Sequence, residues 1–141
     1  MAEFAVAGVL LIQDSEYLLQ LRDNNPNTVE PGKVTVWGGS IEDEDDSPKA
    51  AAKRELEEET GVVVSADELK PLLEFTTDGK GKLSLGKPVG VYIFYVKIAS
   101  DIKVNCYEGE SVYRARSVED IPEDKRIEIL TRSLEAYESL R

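Results

Sequence analysis

Ser47-Pro48 and Gly61 bracket a segment with both helix ends written into it. Serine offers an N-cap hydroxyl, and proline suits the first helical position, where an N–H has no partner anyway. The glycine after Glu59-Thr60 accepts the left-handed conformation that ends a helix. The spacing predicts a helix of about three to four turns over 47–60. Strand-like segments flank it on both sides. Phe4 to Ile12 is mostly apolar and β-branched, and Gln13-Asp14-Ser15 before Tyr17–Leu21 suggests a hairpin. After a polar loop over Arg22–Asn27, Lys33–Trp37 alternates as a half-buried strand and is expected to stop at Gly38-Gly39. Leu72–Thr77 and Val89–Ile98 read as further strands joined by Asp78-Gly79-Lys80-Gly81-Lys82, and Ser111–Ala115 as a shorter one. In the tail, Ile127, Leu130, Leu134 and Tyr137 recur at helical spacing with charges between them, the pattern of an amphipathic helix packed on a sheet. This order of elements predicts an α/β layered domain.

The 141 residues are the size of one domain, so 1–141 is expected to share one core and one site. Seventeen basic residues against twenty-eight acidic ones give a formal charge of −11. Such a surface repels nucleic-acid polymers and anionic membranes, so neither is expected as a partner. A small phosphorylated substrate is repelled too, unless bound cations or placed basic residues reverse the local sign. The longest apolar run, Val89–Val96, has strand length rather than membrane length, and a cytoplasmic location is expected. The reading leaves room for a homodimer. With no histidine and a single cysteine, Cys106, there is no Cys/His zinc cluster and no serine–histidine or cysteine–histidine mechanism. Cys106 reads as an ordinary thiol. Catalysis has to use carboxylates, lysine, tyrosine or metal-activated water.

The predicted helix ends in Arg54-Glu55-Leu56-Glu57-Glu58-Glu59. Residues three and four apart are neighbours on a helix, so Glu55, Glu58 and Glu59 share a face and Glu57 points away. Like charges at these spacings cost roughly 0.2–0.5 kcal/mol per pair, and acids beside the negative end of the helix dipole cost typically about 0.3–1 kcal/mol each. Arg54 offsets part of this. A divalent cation would remove the conflict, and an all-oxygen donor set suits Mg2+ or Mn2+. Asp43-Glu44-Asp45-Asp46 is no EF-hand loop, since the glycine and the twelfth-position glutamate are missing. Taken alone, a Glu-rich helix end is an ordinary solvated surface.

The whole segment says more. From Gly39 through Asp46-Ser47-Pro48 to Arg54-Glu55-Leu56-Glu57-Glu58-Glu59-Thr60-Gly61-Val62, the chain resembles the Nudix box. That signature is a glycine, five residues, a glutamate, seven residues, then Arg-Glu-apolar-any-Glu-Glu-any-Gly-apolar. Arg54–Val62 matches at every position. Counted back from Arg54, the loop from Gly39 is one residue too long, Asp46 stands in place of the loop glutamate, and Trp37 replaces the usual proline before the glycine pair. The resemblance implies a Nudix-like α/β/α sandwich with a central mixed β-sheet. It further implies a metal-dependent hydrolase that cleaves the diphosphate linkage of a nucleotide derivative. Glu55 and Glu59 would be principal metal ligands, Glu58 a further ligand or partner, and the Gly39 carbonyl would complete the set. Arg54 would orient these acids through salt bridges.

Tyr107-Glu108-Gly109-Glu110 looks like the acidic loop from which several relatives supply another ligand or base, with Glu108 the better placed of the two acids; a surface turn is the alternative. Leu19-Gln20-Leu21-Arg22-Asp23 resembles a segment whose arginine approaches substrate, so Arg22 is a candidate substrate contact. Lys33, Lys80 and Lys82 are further cations that could meet phosphate. Trp37, Tyr92, Phe94 and Tyr95 could stack on a base, although aromatics in strands usually belong to the core. The expected reaction is attack of water on a diphosphate phosphorus, assisted by Mg2+ or Mn2+. Glu55, Glu58 and Glu108 are the candidate bases. A nucleoside triphosphate is the first-choice substrate and a nucleotide sugar the second. The rival reading is a Nudix fold that senses a nucleotide or a protein without turnover.

Overall fold

The computed structural model describes residues 4–27, 30–77 and 87–141. The joining segment 78–82, with Lys80 and Lys82, lies outside the described residues. In chain order the elements are β1 (Phe4–Gln13), β2 (Glu16–Leu21), β3 (Val34–Thr35), β4 (Trp37–Ser40), α1 (Pro48–Thr60), β5 (Lys70–Thr76), β6 (Val89–Ile98), β7 (Ser111–Ala115) and α2 (Glu128–Leu140).

β1 is the spine. Val6, Leu10 and Ile12 enter one buried cluster, while Ala7, Val9 and Leu11 enter a second. Successive strand residues point to opposite faces, so a strand covered on both sides reads as one continuous apolar run. α1 closes one face with Ala51, Ala52 and Leu56, and α2 closes the other with Leu130, Leu134 and Tyr137. The result is the expected α/β/α sandwich. Its sheet is mixed, because β6 runs parallel to β1 from Phe4↔Val89 to Gln13↔Ile98 while β5 lies antiparallel on the far side of β6. β7 pairs antiparallel with β2.

One expectation needs correction. Lys33–Trp37 is not a single strand that stops at the glycines. β3 pairs with β2 through Gln20↔Thr35 and Leu21↔Val34. The chain then changes partner at Val36 and pairs with β1 as β4, from Val9↔Trp37 to Val6↔Ser40. Gly38 and Gly39 therefore lie inside a strand. A Cβ on Gly38 would stand 2.3 Å from the Ala7 carbonyl oxygen, so only glycine lets these backbones approach. The second half of β1 pairs with β2 instead, at Leu11↔Leu18 and Ile12↔Tyr17. The two strands splay where β4 enters, and Trp37 fills the split, fully buried, with Nε1 donating to the Leu18 carbonyl at 2.9 Å. Its role is core.

Both marked ends of α1 form as predicted. The Ser47 hydroxyl accepts the Ala50 N–H at 3.1 Å, and Gly61, at φ 78°, donates its N–H to the Glu57 carbonyl at 2.8 Å. On α2, Ile127 is the residue before the helix rather than part of it. The Tyr17 hydroxyl donates to the Glu138 carboxylate, and the Tyr137 ring meets Tyr17 and Tyr95 edge-on with centroids 5.8 and 5.4 Å apart. These contacts hold the C-terminal helix to the sheet. Among the described residues no helix is long and apolar enough to cross a membrane.

Candidate active site

The acid-bearing end of α1 lies against the glycines of β4. Glu55 is 9% exposed and Glu59 3%, whereas Glu57 and Glu58 face solvent. Glu59 accepts the Gly38 N–H at 2.8 Å. A Cβ on Gly39 would stand 2.6 Å from the Glu55 carboxylate, so the missing side chain is the space that this carboxylate uses. Burial raises the Glu55 pKa, and the Arg54 guanidinium only partly restores it. Burial also pushes Glu59 up to about 8, with Glu55 and Glu108 adding to the rise and the Gly38 N–H opposing it. Glu108 shares a cavity wall with Glu59, and a second carboxylate so near disfavours charge on Glu59. A cation beside Glu59 would offset that cost.

Arg54 is the hub that keeps the acids apart. Its Nη1 donates to Glu55 at 2.9 Å and to Glu58 at 3.2 Å, and its Nη2 donates to the Ser40 carbonyl at 3.1 Å. Its strongest partner corrects the sequence alignment. Nε and Nη2 form a two-pronged pair with the Asp45 carboxylate at 3.0 and 2.8 Å, and Asp45 also accepts the Glu42 N–H at 2.8 Å. These donors hold the Asp45 carboxyl down at about 2. Asp46, aligned with the loop glutamate by counting back from Arg54, is exposed. Counting forward from Gly39 would have found Asp45: five residues intervene, and the extra residue falls between Asp45 and Arg54.

A cavity of about 240 Å³ opens beside this helix end, lined by Gln20, Arg22, Asp23, Gly38, Glu59, Glu108 and Gly109. Arg22 and Glu108 are therefore brought together with Glu59, while Arg54, Glu55 and Glu58 lie outside the lining and Gly39 lines the neighbouring cavity. Gln20, Asp23 and Gly109 were not singled out by sequence. Lys33 donates to the Asp124 carbonyl, a contact between loops. A second cavity of about 280 Å³ shares Arg22 and Gly38 with the first and is mainly apolar, with Val36, Trp37, Ile93, Ile127 and Ile129 in its walls.

A family model for the NUDIX domain matches residues 2–136. The chain belongs to the Nudix hydrolase family. Family membership supports a pyrophosphohydrolase and leaves the substrate open. No curated protein matches this Nudix chain by sequence. Among solved structures, the Nudix domain of Shewanella oneidensis NrtR complexed with ADP ribose is similar at a TM-score of 0.76 and 19% identity, over 100% of this chain and 90% of that one. The MutT NUDIX hydrolase of Burkholderia pseudomallei gives 0.75 at 18% identity, over 94% and 96%. A MutT/nudix family protein of Enterococcus faecalis is longer; the match spans 79% of this chain but 42% of that one, with a TM-score of 0.63 and 19% identity. At these identities the likeness is one of fold.

The chemistry of the acids in this Nudix site fits a hard divalent cation. Two buried carboxylates, a third that shares a cavity wall with Glu59 and a side-chain-free backbone at Gly39 supply oxygen donors and room. In the present arrangement Glu55 is turned to Arg54 and Glu59 to Gly38. Among the described residues no three acids already stand as a ligand cage.

Proposed function

We propose that this Nudix protein hydrolyses the diphosphate linkage of a nucleoside diphosphate derivative, with Mg2+ or Mn2+ as cofactor. The observation that carries the reading is the pair of adjoining cavities. The acid-lined one would suit a diphosphate together with its cation, and the mainly apolar one, across Gly38, the organic head of the same molecule. The bound ADP ribose of the Shewanella domain, itself a diphosphate with organic groups at both ends, is of the same chemical class. A nucleoside triphosphate is the first substrate to test, and a nucleotide sugar the second.

Glu55 and Glu59 are the proposed principal ligands, with the Gly39 carbonyl. When bound, the cation neutralises charge on the phosphate oxygens and lowers the pKa of water. Glu108, already in the cavity, takes the proton from the attacking water as its oxygen bonds to phosphorus and the bridging P–O bond breaks. Glu58, on the solvent side of Arg54, has a supporting role. Arg22, at the border of the two cavities, holds phosphate oxygens, and Arg54 holds Glu55 in orientation. A panel of nucleoside triphosphates and nucleotide sugars with Mg2+ or Mn2+, run in water labelled with heavy oxygen, tests this reading. The expected result is turnover of at least one compound, with the label in one product. Ligand binding across the panel without turnover would instead establish a nucleotide-sensing module.

A further inference from the structure

Gln20 is a polar side chain inside the sheet. It lies on β2 between Thr35 of β3 and Val112 of β7 and is 4% exposed. A buried amide needs partners, and those of Gln20 are specific to the site. Nε2 donates to the main-chain carbonyl of Glu108 at 2.7 Å, and Oε1 receives a long contact from Arg22 Nη1 at 3.5 Å. Both partners line the acid cavity.

The loop that carries Glu108 is otherwise tied down on either side of it. Asn105 and Tyr107 donate their N–H groups to the Thr60 and Glu59 carbonyls at 3.0 and 2.8 Å, which fastens the loop to the end of α1. Glu110 donates to the Leu21 carbonyl at 2.8 Å, which fastens it to β2. At Glu108 itself the Gln20 amide joins the weak Cys106 thiol donor, at 3.0 Å, on one carbonyl. The turn that follows packs on Gln20 and the β2 backbone beside it: Gly109 has φ 93°, and a Cβ there would stand 3.0 Å from both Gln20 Cγ and the Leu21 carbonyl oxygen and 3.1 Å from Nε2. An amide that only satisfied the fold could use any nearby backbone group. This one fixes the residue that lines the acid cavity beside Glu59.

We propose that Gln20 is a positioning residue, which sets the Glu108 loop against Glu59 and couples it to Arg22. The inference rests on the reading of Glu108 as the acid that acts on water. Gln20→Met keeps length and burial but removes the donor, and Gly109→Ala pushes from the exposed turn on Gln20 and on the Leu21 carbonyl that accepts the Glu110 N–H. Each is expected to lower kcat by about ten- to a hundredfold, the scale of an ångström-sized misplacement, with KM changed less than about threefold and an unshifted melting temperature for Gln20→Met. In a Glu108→Gln background, Gln20→Met should have no further effect on kcat. Amide exchange of metal-free protein provides a readout that needs no turnover: the Glu110 N–H should exchange faster in Gln20→Met, while Leu18 and Leu19 keep their rates. A Gln20→Met loss that multiplies with Glu108→Gln, or unchanged kcat with unchanged exchange, would overturn the proposal. If the wild-type protein turns over no nucleotide, the functional reading fails, and the exchange comparison still decides whether Gln20 holds the loop. Should Gln20→Met not fold, Gly109→Ala carries the same expectations for kcat and exchange.

Discussion

Glu59 is a carboxyl group that folding places where its charge is unwelcome. With its pKa pushed to about 8 from an ordinary 4.5, the metal-free folded chain binds this proton more tightly than the unfolded chain does. Stability from that source is complete below about pH 4.5 and is lost as pH rises toward 8. Asp45 has the opposite sign. Its pKa of about 2, against 3.8, contributes stability above pH 3.8 that disappears as pH falls toward 2. Thermal melts in chelator should therefore decline from mildly acid to mildly alkaline pH, and Glu59→Gln should flatten that decline; an unchanged slope would remove Glu59 as its source. The corrected alignment has its own test. Asp45→Asn frees Arg54 from its two-pronged partner and is expected to cost about tenfold in turnover, whereas Asp46→Asn, on the exposed side of the loop, should stay within about twofold, both scales being those of a lost charge-assisted bond against a surface change. Equal losses would return the role to the acid chosen by counting backward.

At the scale of elements, the two glycines of β4 do different work. A Cβ at Gly38 would strike the backbone of β1 at 2.3 Å, which only a strand displacement can relieve. A Cβ at Gly39 would strike the Glu55 carboxylate, the mobile end of a side chain. Gly38→Ala should therefore lower the melting temperature by several degrees, the effect of about 1–3 kcal/mol of overpacking. Gly39→Ala should melt near wild type yet lose Mg2+ binding by calorimetry. If both variants fail in the same way, the division is wrong. The same segment shows how far the sequence could be read. The ends of α1 were legible because Ser47, Pro48 and Gly61 act locally, and helix spacing put Glu55 and Glu59 on one face, but it also put Glu58 there, which is exposed like Glu57 because Arg54 draws it to the solvent side. The partner change at Val36 was not legible, since alternation over Lys33–Trp37 does not depend on which neighbour a strand pairs with. Asp45 was missed through the direction of counting, and Gln20 because a polar residue in an alternating strand normally marks the solvent face.

For the whole molecule, a charge of −11 and two buried acids would link the proposed cation thermodynamically to the fold. Glu58→Gln/Glu59→Gln should melt at or above the wild-type temperature in chelator, with the larger contribution from the buried Glu59. It should also gain less from Mg2+, which stabilises a protein binding it only when folded by about 2.7 kcal/mol at a hundredfold excess over Kd. A strongly destabilised double variant with a full Mg2+ response would make these acids structural. The pairing of β1 with β6 has a further consequence. The first described strand finds its parallel neighbour only at Val89–Ile98, and that partnership lies at the centre of the sheet. During synthesis, the ribosome must deliver most of the chain before this edge can close, so β1 waits with one row of amide and carbonyl groups open to any other strand. Such distant closure is slow, and the nascent protein is exposed to mispairing and to chaperone capture for as long as that wait lasts.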